Sequence, residues 1–396
     1  MDENNFLMTP GPTEIPLRVL KAMIRPGVSP GDPNFINIMD ETSSLLKQIL
    51  GTKNETLFFP GSGRVGIEAA ITSILEPGDK ILTINNGVFG KWLGLTTTAA
   101  GGEKVEILAD LHNSVDPELV RQMLKRNAGV KAIAIVHNET STGITNPVRE
   151  IGKIAKEHGA LLILDTVSSA GGDFIRSDEW QVDINCTGCY KCMNCPPGLA
   201  IVSVSKEAWD VMAKRKHRRS FSFDLYKYIE MWIPPERGGT LIWGQRRHVV
   251  EPVPHITYAL NEALHMIIEE GPAIRYARNA LAGRAIRAAV CAMNLILWAH
   301  DERDASNTLT AITVPEGMDS SKIIQIMHKD HGILIGGGLE ETNGKVLRIA
   351  HMGFTSDEMY VLRTIRQLEK TLIQLGHKLK PGFGIQAANT VFDQAK

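Results

Sequence analysis

Long apolar runs, an excess of charge of one sign and an even set of cysteines are all missing from this chain of 396 residues. No run of about eighteen apolar residues is present that could span a bilayer. Lys and Arg number 43 against 44 Asp and Glu, for a net charge of −1. That balance gives no general reason to expect a nucleic-acid partner or an anionic membrane surface. The odd count of five cysteines makes a disulfide scaffold unusual in so long a chain, so reduced thiols are expected.

The first residues, MDENNFLMTPGPTEIP, are polar, acidic and broken by proline. They have neither the apolar core of a signal peptide nor the basic amphipathic pattern of a transit peptide. We therefore expect a soluble, cytoplasmic protein. Apolar residues make up 43% of the chain, which is enough to bury a sizeable core.

Short β-branched runs alternate with helical patterns through the first half of the chain. The strand candidates are Gly78–Ile84, Lys131–His137, Ala160–Asp165 and Leu199–Ser205, and the helix candidates are Arg64–Leu75, Asp116–Arg126 and Val148–Gly159. This alternation predicts an α/β fold whose mostly parallel sheet is flanked by helices. Ligands of such sheets bind beyond the carboxyl ends of the strands.

The pattern changes near residue 275, where a long helical stretch leads into alternating strands and helices. We predict a large domain over residues 20–275 and a smaller C-terminal α+β domain over 276–396, with the N-terminal segment 1–19 packing near the smaller one.

Three segments carry residues that could bind a ligand or take part in a reaction. In FFPGSGRVGIEAA (Phe58–Ala70) a glycine-rich turn opens a helix, which suits either an anion site or a plain turn. Asp165 ends the apolar run LLILD, where a carboxylate needs a cation or a donor. Lys191 lies in the loop CTGCYKCMNCPPG, whose four cysteines have the spacing of an iron–sulfur motif. A phosphate cup, an acid and an amine are the three groups that pyridoxal phosphate needs.

These segments resemble the class V aminotransferases of fold type I, the group of alanine–glyoxylate and serine–glyoxylate (pyruvate) aminotransferases. The resemblance covers nearly the whole chain: TPGPTEIP, GSGRVGIEAA, EPGDKIL, NNGVFGKW, HNETSTGITNPV, LDTVSSAGG, DINCTGCYKCMNCPPG and GKVLRIAHMG. It implies pyridoxal 5′-phosphate as cofactor and transfer of an amino group from a small amino acid to glyoxylate or pyruvate by a ping-pong route. It also implies a homodimer with active sites shared between subunits.

The resemblance assigns roles residue by residue. Lys191 would be the Schiff-base lysine and the base that moves a proton, and Asp165 would pair with the pyridinium nitrogen. Arg348 would bind the substrate carboxylate through two parallel hydrogen bonds, a geometry that lysine cannot provide. The remaining cofactor contacts implied are Ser62, Gly63, Arg64, Phe89, Thr140 and Tyr190.

Two positions depart from the family pattern. Tyr190 stands where glutamine commonly contacts the phosphate, and Glu251 stands near a threonine position of the segment that crosses from the neighbouring subunit. An acid beside a phosphate is unfavourable unless a cation offsets it. These departures, and similarity of the C-terminal third to pyridoxamine–pyruvate transaminase, keep open an alternative in which the B6 vitamer itself is the substrate.

The cysteine-rich loop leaves an alternative of another class, a metal or iron–sulfur protein that uses Cys186, Cys189, Cys192 and Cys195. An observation against this alternative is that related enzymes place small residues at Cys189 and Cys195, and cysteine can pack there as a small apolar residue. We expect no metal site, and we expect the loop to present the amine of Lys191.

Overall fold

The computed structural model describes residues 5–396. Two larger β-sheets organise the molecule, beside a two-stranded antiparallel sheet formed by Asn138–Glu139 and Ile144–Thr145. The strands are β1 (Phe6–Met8), β2 (Glu55–Gly61), β3 (Lys80–Asn85), β4 (Glu103–Leu108), β5 (Val130–Val136), β6 (Asn138–Glu139), β7 (Ile144–Thr145), β8 (Leu161–Asp165), β9 (Ile184–Gly188), β10 (Gly198–Val204), β11 (Leu309–Thr313), β12 (Ile333–Gly337) and β13 (Val346–Ala350).

The α-helices begin and end near the caps and breakers in the sequence. They are α1 (Leu17–Ala22), α2 (Pro33–Leu50), α3 (Gly63–Ile74), α4 (Val88–Ala99), α5 (Pro117–Arg126), α6 (Val148–Glu157), α7 (Lys206–Ala213), α8 (Tyr226–Met231), α9 (Pro254–Glu270), α10 (Pro272–Ala292), α11 (Ser320–Lys329), α12 (Glu358–Gln374) and α13 (Phe383–Asp393). Helix α2 shows the local logic: Asp32 accepts from two amides of the first turn, Pro33 follows it, and Gly51 ends the helix in the left-handed region.

The larger sheet has seven strands in the order β2-β10-β9-β8-β5-β3-β4. Neighbours from β9 to β4 run parallel, and β10 is antiparallel to both β9 and β2. Strands β2, β9, β8, β5 and β3 therefore all end at the same edge. The predicted α/β fold with a mostly parallel mixed sheet is confirmed.

The smaller sheet has four strands in the order β1-β12-β13-β11. The N-terminal strand β1 pairs in parallel with β12, so that Phe6 lies opposite Ile333. A separate apolar core, which includes Met8, Ile286 and Leu368, packs against this sheet. The domain limits at residues 20–275 and 276–396 stay a prediction, and residues 1–4 of the N-terminal segment lie outside the described part. Within residues 5–396 no helix is long and apolar enough to cross a membrane.

Candidate active site

One cavity of about 380 Å³ opens at the carboxyl edge of the larger sheet. Its lining comes from the loops that follow successive strands, because the ends of parallel strands meet at one edge. The predicted site residues that line it are Ser62, Arg64, Phe89, Thr140, Asp165, Tyr190 and Lys191. Gly63 and Arg348 contact members of this set rather than lining the cavity themselves.

Asp165 is the last residue of β8, and its side chain is buried, with 5% exposed. One carboxylate oxygen accepts a hydrogen bond from the amide of Val167 at 2.8 Å, and Asp165 forms no ion pair within residues 5–396. Burial raises the pKa of Asp165 to about 7, against the opposing effect of the Val167 amide. The charge of Lys191 also opposes this rise, but neither opposing contact outweighs burial, so the carboxylate lacks a paired cation that would keep it charged.

Lys191 follows β9 and is also buried, with 7% exposed. Its Nζ donates to the carbonyl of Pro10. Burial, assisted by the charge of Arg348, lowers the pKa of Lys191 to about 8. A substantial fraction of this amine is therefore neutral, and nucleophilic, at mildly alkaline pH.

The N-terminal segment around Gly11 closes over this lysine. Gly11 has φ +104°, and a Cβ built there would lie 2.5 Å from Lys191 Cε and 2.8 Å from Nζ. Thr13 holds the lysine backbone, because its hydroxyl donates to the carbonyl of Lys191 at 2.7 Å. Only glycine fits where this segment passes the amine.

Helix α3 points its N-terminus towards the cavity. Ser62 is the N-cap residue, but its hydroxyl does not cap the helix. The Gly63 amide donates to the Tyr190 hydroxyl at 3.3 Å. The Arg64 guanidinium lies 3.8 Å from the centroid of the Trp92 ring. The helix N-terminus, the Ser62 hydroxyl and the Arg64 cation make this end of the cavity suited to an anion.

Helix α4 supplies the aromatic wall. Phe89 and Trp92 meet edge to face with ring centroids 5.2 Å apart, and both line the cavity. Glu139 and Ser141 secure the first turn: Glu139 accepts from the Gly90 amide at 2.9 Å and from the Ser141 hydroxyl at 2.6 Å, and Ser141 accepts from the Val88 amide at 3.0 Å.

Sequence reasoning missed Trp92, Thr96 and Glu139. Phe89, Trp92 and Thr96 share the three- and four-residue spacing of one helix face, so that signal was available. The sequence signal for Glu139 was weaker, because it is only a single acidic residue a few positions after β5; in the structure it is fully buried.

Arg348 comes from β13 of the smaller sheet. Its side chain is 7% exposed, and it donates to the carbonyls of Gly337 at 2.7 Å and Thr140 at 3.0 Å. Burial lowers the pKa of Arg348 to about 10. No carboxylate pairs with it among residues 5–396, which is costly for a buried cation. An incoming carboxylate is the complementary ligand.

Two thiols of the cysteine-rich loop, those of Cys189 and Cys195, contact each other, whereas those of Cys186 and Cys192 face other segments. Cys186, Cys189, Cys192 and Cys195 contact the backbone carbonyls of Gly66, Pro196, Ser168 and Ile256, respectively. In the described part of the chain, no three His, Cys, Asp or Glu residues are grouped so that they could hold a metal ion. This arrangement gives the metal alternative no support.

The two departures from the family pattern lie apart in this chain. Tyr190 lines the cavity beside the N-terminus of α3. Glu251 lies in a surface groove with Trp243, Arg246 and His248. The expected place of Glu251 near a neighbouring subunit's phosphate stays a prediction.

Comparison with known proteins agrees with this geometry. Residues 6–352 match the family described as Aminotransferase class-V. An uncharacterized aminotransferase of Methanocaldococcus jannaschii is 37% identical over 98% of this chain and 97% of its own length. Pyridoxamine–pyruvate transaminase of Mesorhizobium japonicum is 31% identical over 98% of this chain and 96% of its own. The crystal structure of ureidoglycine–glyoxylate aminotransferase from Bacillus subtilis superposes with a TM-score of 0.91 at 31% identity, covering 98% of each chain. The chain belongs to the class V aminotransferase family, and it is an aminotransferase of fold type I.

Proposed function

We propose that this enzyme uses pyridoxal 5′-phosphate to move an amino group from a small amino acid, of the alanine or serine type, to glyoxylate or pyruvate. The observation that carries the proposal is a single site in which a buried amine, a buried carboxylate and a buried guanidinium all lack an ionic partner. Each of the three matches one part of such a reaction: the cofactor aldehyde, the ring nitrogen and the substrate carboxylate.

The residues present fit the cofactor. Asp165, whose pKa is raised to about 7 by burial, needs a cation, and a protonated ring nitrogen would meet that need. The N-terminus of α3 with Ser62 and Arg64 offers an anion site for the phosphate. Phe89 would lie against the ring, and Thr140 near its phenolic oxygen. When bound, the cofactor supplies an aldehyde that condenses with amines and a ring that accepts electrons.

The side chains then have separate tasks. Lys191 would hold the cofactor through its neutral amine and, when free, would accept the proton from the substrate Cα and deliver it to the cofactor. Asp165 would hold the proton on the ring nitrogen. Arg348 binds and orients the substrate carboxylate. The segment from Pro10 to Thr13 covers Lys191 and excludes water from it.

The lining of the cavity favours small substrates. Arg64 is the single arginine among the described residues that line it, and its guanidinium is engaged with the Trp92 ring. Gly336 and Gly337 lie beside Arg348 in the smaller sheet and offer no second cation. A distal carboxylate on the substrate would therefore be desolvated without a partner.

A half-reaction screen tests the substrate class. The holoenzyme is mixed with single amino acids, and both the near-visible cofactor band and the 2-oxo acid formed are followed. Alanine, serine or glycine should react faster than aspartate or glutamate, and Lys191→Ala should give no product. Faster reaction of the dicarboxylic acids, or no reaction with any amino acid, would contradict the proposal.

One observation of the structure favours the vitamer alternative: the Tyr190 hydroxyl accepts the hydrogen bond of the Gly63 amide, which a phosphate oxygen would otherwise accept. The screen separates the two functions when pyridoxamine and pyruvate are added to the cofactor-free protein. Release of alanine and pyridoxal without added pyridoxal phosphate would favour the vitamer as substrate.

Assembly as a homodimer with shared sites belongs to the same proposal, as does a cytoplasmic location. Several large apolar side chains are exposed and are available for contact with a second copy of the chain. They are Leu17, Ile24, Phe221 and Trp243, which are 64%, 83%, 55% and 52% exposed, respectively. Aromatic side chains such as Phe221 and Trp243 are enriched at subunit interfaces. Light scattering at micromolar concentration should give twice the chain mass of 43.5 kDa, whereas a monomer mass would exclude shared sites.

A further inference from the structure

Asn194 is a buried amide three residues beyond Lys191. It is 1% exposed, and its φ of +55° lies in the left-handed region that asparagine tolerates. The backbone N–H of Asn194 donates to the backbone carbonyl of Lys191 at 2.9 Å and closes a turn that begins at the lysine. Nothing in the proposed reaction requires this side chain to touch substrate or cofactor.

The side chain of Asn194 binds segments that are remote in sequence. Its Nδ2 donates to Glu14 O at 3.0 Å, to Thr13 Oγ1 at 3.2 Å and to Met352 O at 3.2 Å. Its Oδ1 accepts from the Phe354 amide at 2.9 Å and from Arg275 Nη2 at 2.7 Å. Every polar atom of the amide is used.

These partners belong to the parts of the molecule that must meet for catalysis. Thr13 is the residue whose hydroxyl holds the carbonyl of Lys191. Met352 and Phe354 directly follow β13, the strand that carries Arg348. Arg275, on α10, also donates to the carbonyls of Cys192 and Gly171. Asn194 thus joins four parts of the molecule at one point: the loop that carries Lys191, the N-terminal segment that covers this lysine (residues 9–16, the N-terminal cover), α10 and the smaller sheet.

Lys191 follows a strand of the larger sheet and Arg348 lies in the smaller sheet, so the separation of the two side chains depends on how the sheets are joined. We infer that Asn194 is a positioning residue: through its contacts with Thr13 and Met352–Phe354 it sets the place of Lys191 relative to Arg348. The inference rests on the proposed function, in which these two side chains hold the same substrate. Misplacement by about 1 Å is enough to reduce a rate about 100-fold.

Two substitutions separate the side chain from the backbone conformation. Asn194→Gly keeps the left-handed backbone without strain and removes all side-chain contacts. Asn194→Asp keeps an acceptor for Arg275 and Phe354 but removes the donors to Glu14, Thr13 and Met352. Ser73→Ala is a control for simple loss of stability: Ser73 is fully buried, bonds to Phe223 and Leu225 with its hydroxyl, and lies at the far end of α3.

Two kinds of measurement are made on the same proteins. In holoenzyme, the expected result for both Asn194 variants is a KM for the amino donor raised about tenfold, and a half-reaction rate lowered about 10–100-fold. The pH at which the near-visible cofactor band changes should also shift, because that band reports the surroundings of the Lys191 nitrogen.

In cofactor-free protein, amide hydrogen exchange should become faster in residues 9–16 and 352–356 and stay unchanged in β5. Ser73→Ala should lower Tm while leaving the kinetic constants and the band as in the unchanged enzyme.

The outcomes distinguish the inference from the function on which it rests. If the unchanged enzyme transfers no amino group, the proposed function fails. If it does, and the Asn194 variants keep its KM, rate and band while losing only Tm, Asn194 is structural and the inference is overturned. Faster exchange in residues 352–356 without change in residues 9–16 would also overturn it, because the junction would then not include the N-terminal cover.

Discussion

Burial without an ionic partner is the property that Asp165, Lys191 and Arg348 share. The three residues are only 5–7% exposed, and the shifted pKa values of all three have burial as their first cause. Such shifts gather at functional sites because a ligand is needed to complete the pairing.

Asp165 gives a prediction about the stability of the cofactor-free protein. Its pKa is raised by burial from 3.8 to about 7, so between these values the folded protein holds a proton that the unfolded chain has released. The free energy of unfolding should therefore fall as pH rises through this window, by up to about 1.4 kcal/mol per pH unit from this group. Asp165→Asn should flatten the fall in urea titrations at several pH values. An equally steep fall in the variant would show that Asp165 is not its source.

Arg348 gives a prediction about substrate affinity. In the proposed function Arg348 binds the substrate carboxylate, so Arg348→Ala would remove a charged hydrogen bond of about 1.5–3 kcal/mol. The KM of the amino donor should rise about 10–100-fold, and Arg348→Lys should recover little of it. Steady-state kinetics with alanine measure this. An unchanged KM would remove Arg348 from the carboxylate site.

At the scale of elements, periodic segments were predictable from the sequence. The predicted helix over Arg64–Leu75 is observed as Gly63–Ile74, and the predicted strand over Ala160–Asp165 as Leu161–Asp165. Both stand out because their apolar spacing matches a buried face. Strand β12 (Ile333–Gly337) was missed because three consecutive glycines at its end resemble a loop.

Contacts between distant segments were not predictable in this way. Thr13 and Lys191 are separated by 178 positions, and no local pattern marks Thr13 as the partner of the lysine carbonyl. Asn194 was likewise invisible, because its partners come together only when the two sheets pack. Lys191 and Asp165 could be named because each stands out against its own loop or strand.

The N-terminal cover can be tested at Gly11. Gly11→Ala would place a Cβ against the side chain of Lys191 and strain a backbone with φ +104°. We expect covalent attachment of the cofactor to be lost or slowed. Gly27→Ala is the matched control, because nothing lies within 4 Å of its Cβ. Absorbance after mixing apoprotein with pyridoxal phosphate measures attachment, and equal rates for both variants would contradict the close passage of Gly11 over the lysine.

At the scale of the whole molecule, the site depends on the smaller sheet reaching the larger one. Lys91 on α4 forms ion pairs with Glu340 and Glu341, which follow β12, at 2.6 Å and 2.9 Å. These charges are 38%, 38% and 53% exposed, so their effect is small and screened by salt.

Replacing both acids, Glu340→Gln with Glu341→Gln, should raise KM about twofold to threefold at low salt and leave it unchanged near 1 M salt. Lys206→Gln, which breaks the remote exposed pair with Asp210, is the control and should change nothing. A KM effect that persists at high salt would show that the pairs act through packing rather than charge.

Mapping the attachment site of the cofactor tests the central claim most directly. The holoenzyme is reduced with borohydride, digested, and its peptides are analysed by mass spectrometry. We predict a reduced phosphopyridoxyl group on Lys191, in the peptide that carries the four neighbouring cysteines. A group on any other lysine, or an active enzyme with no modified lysine, would contradict it.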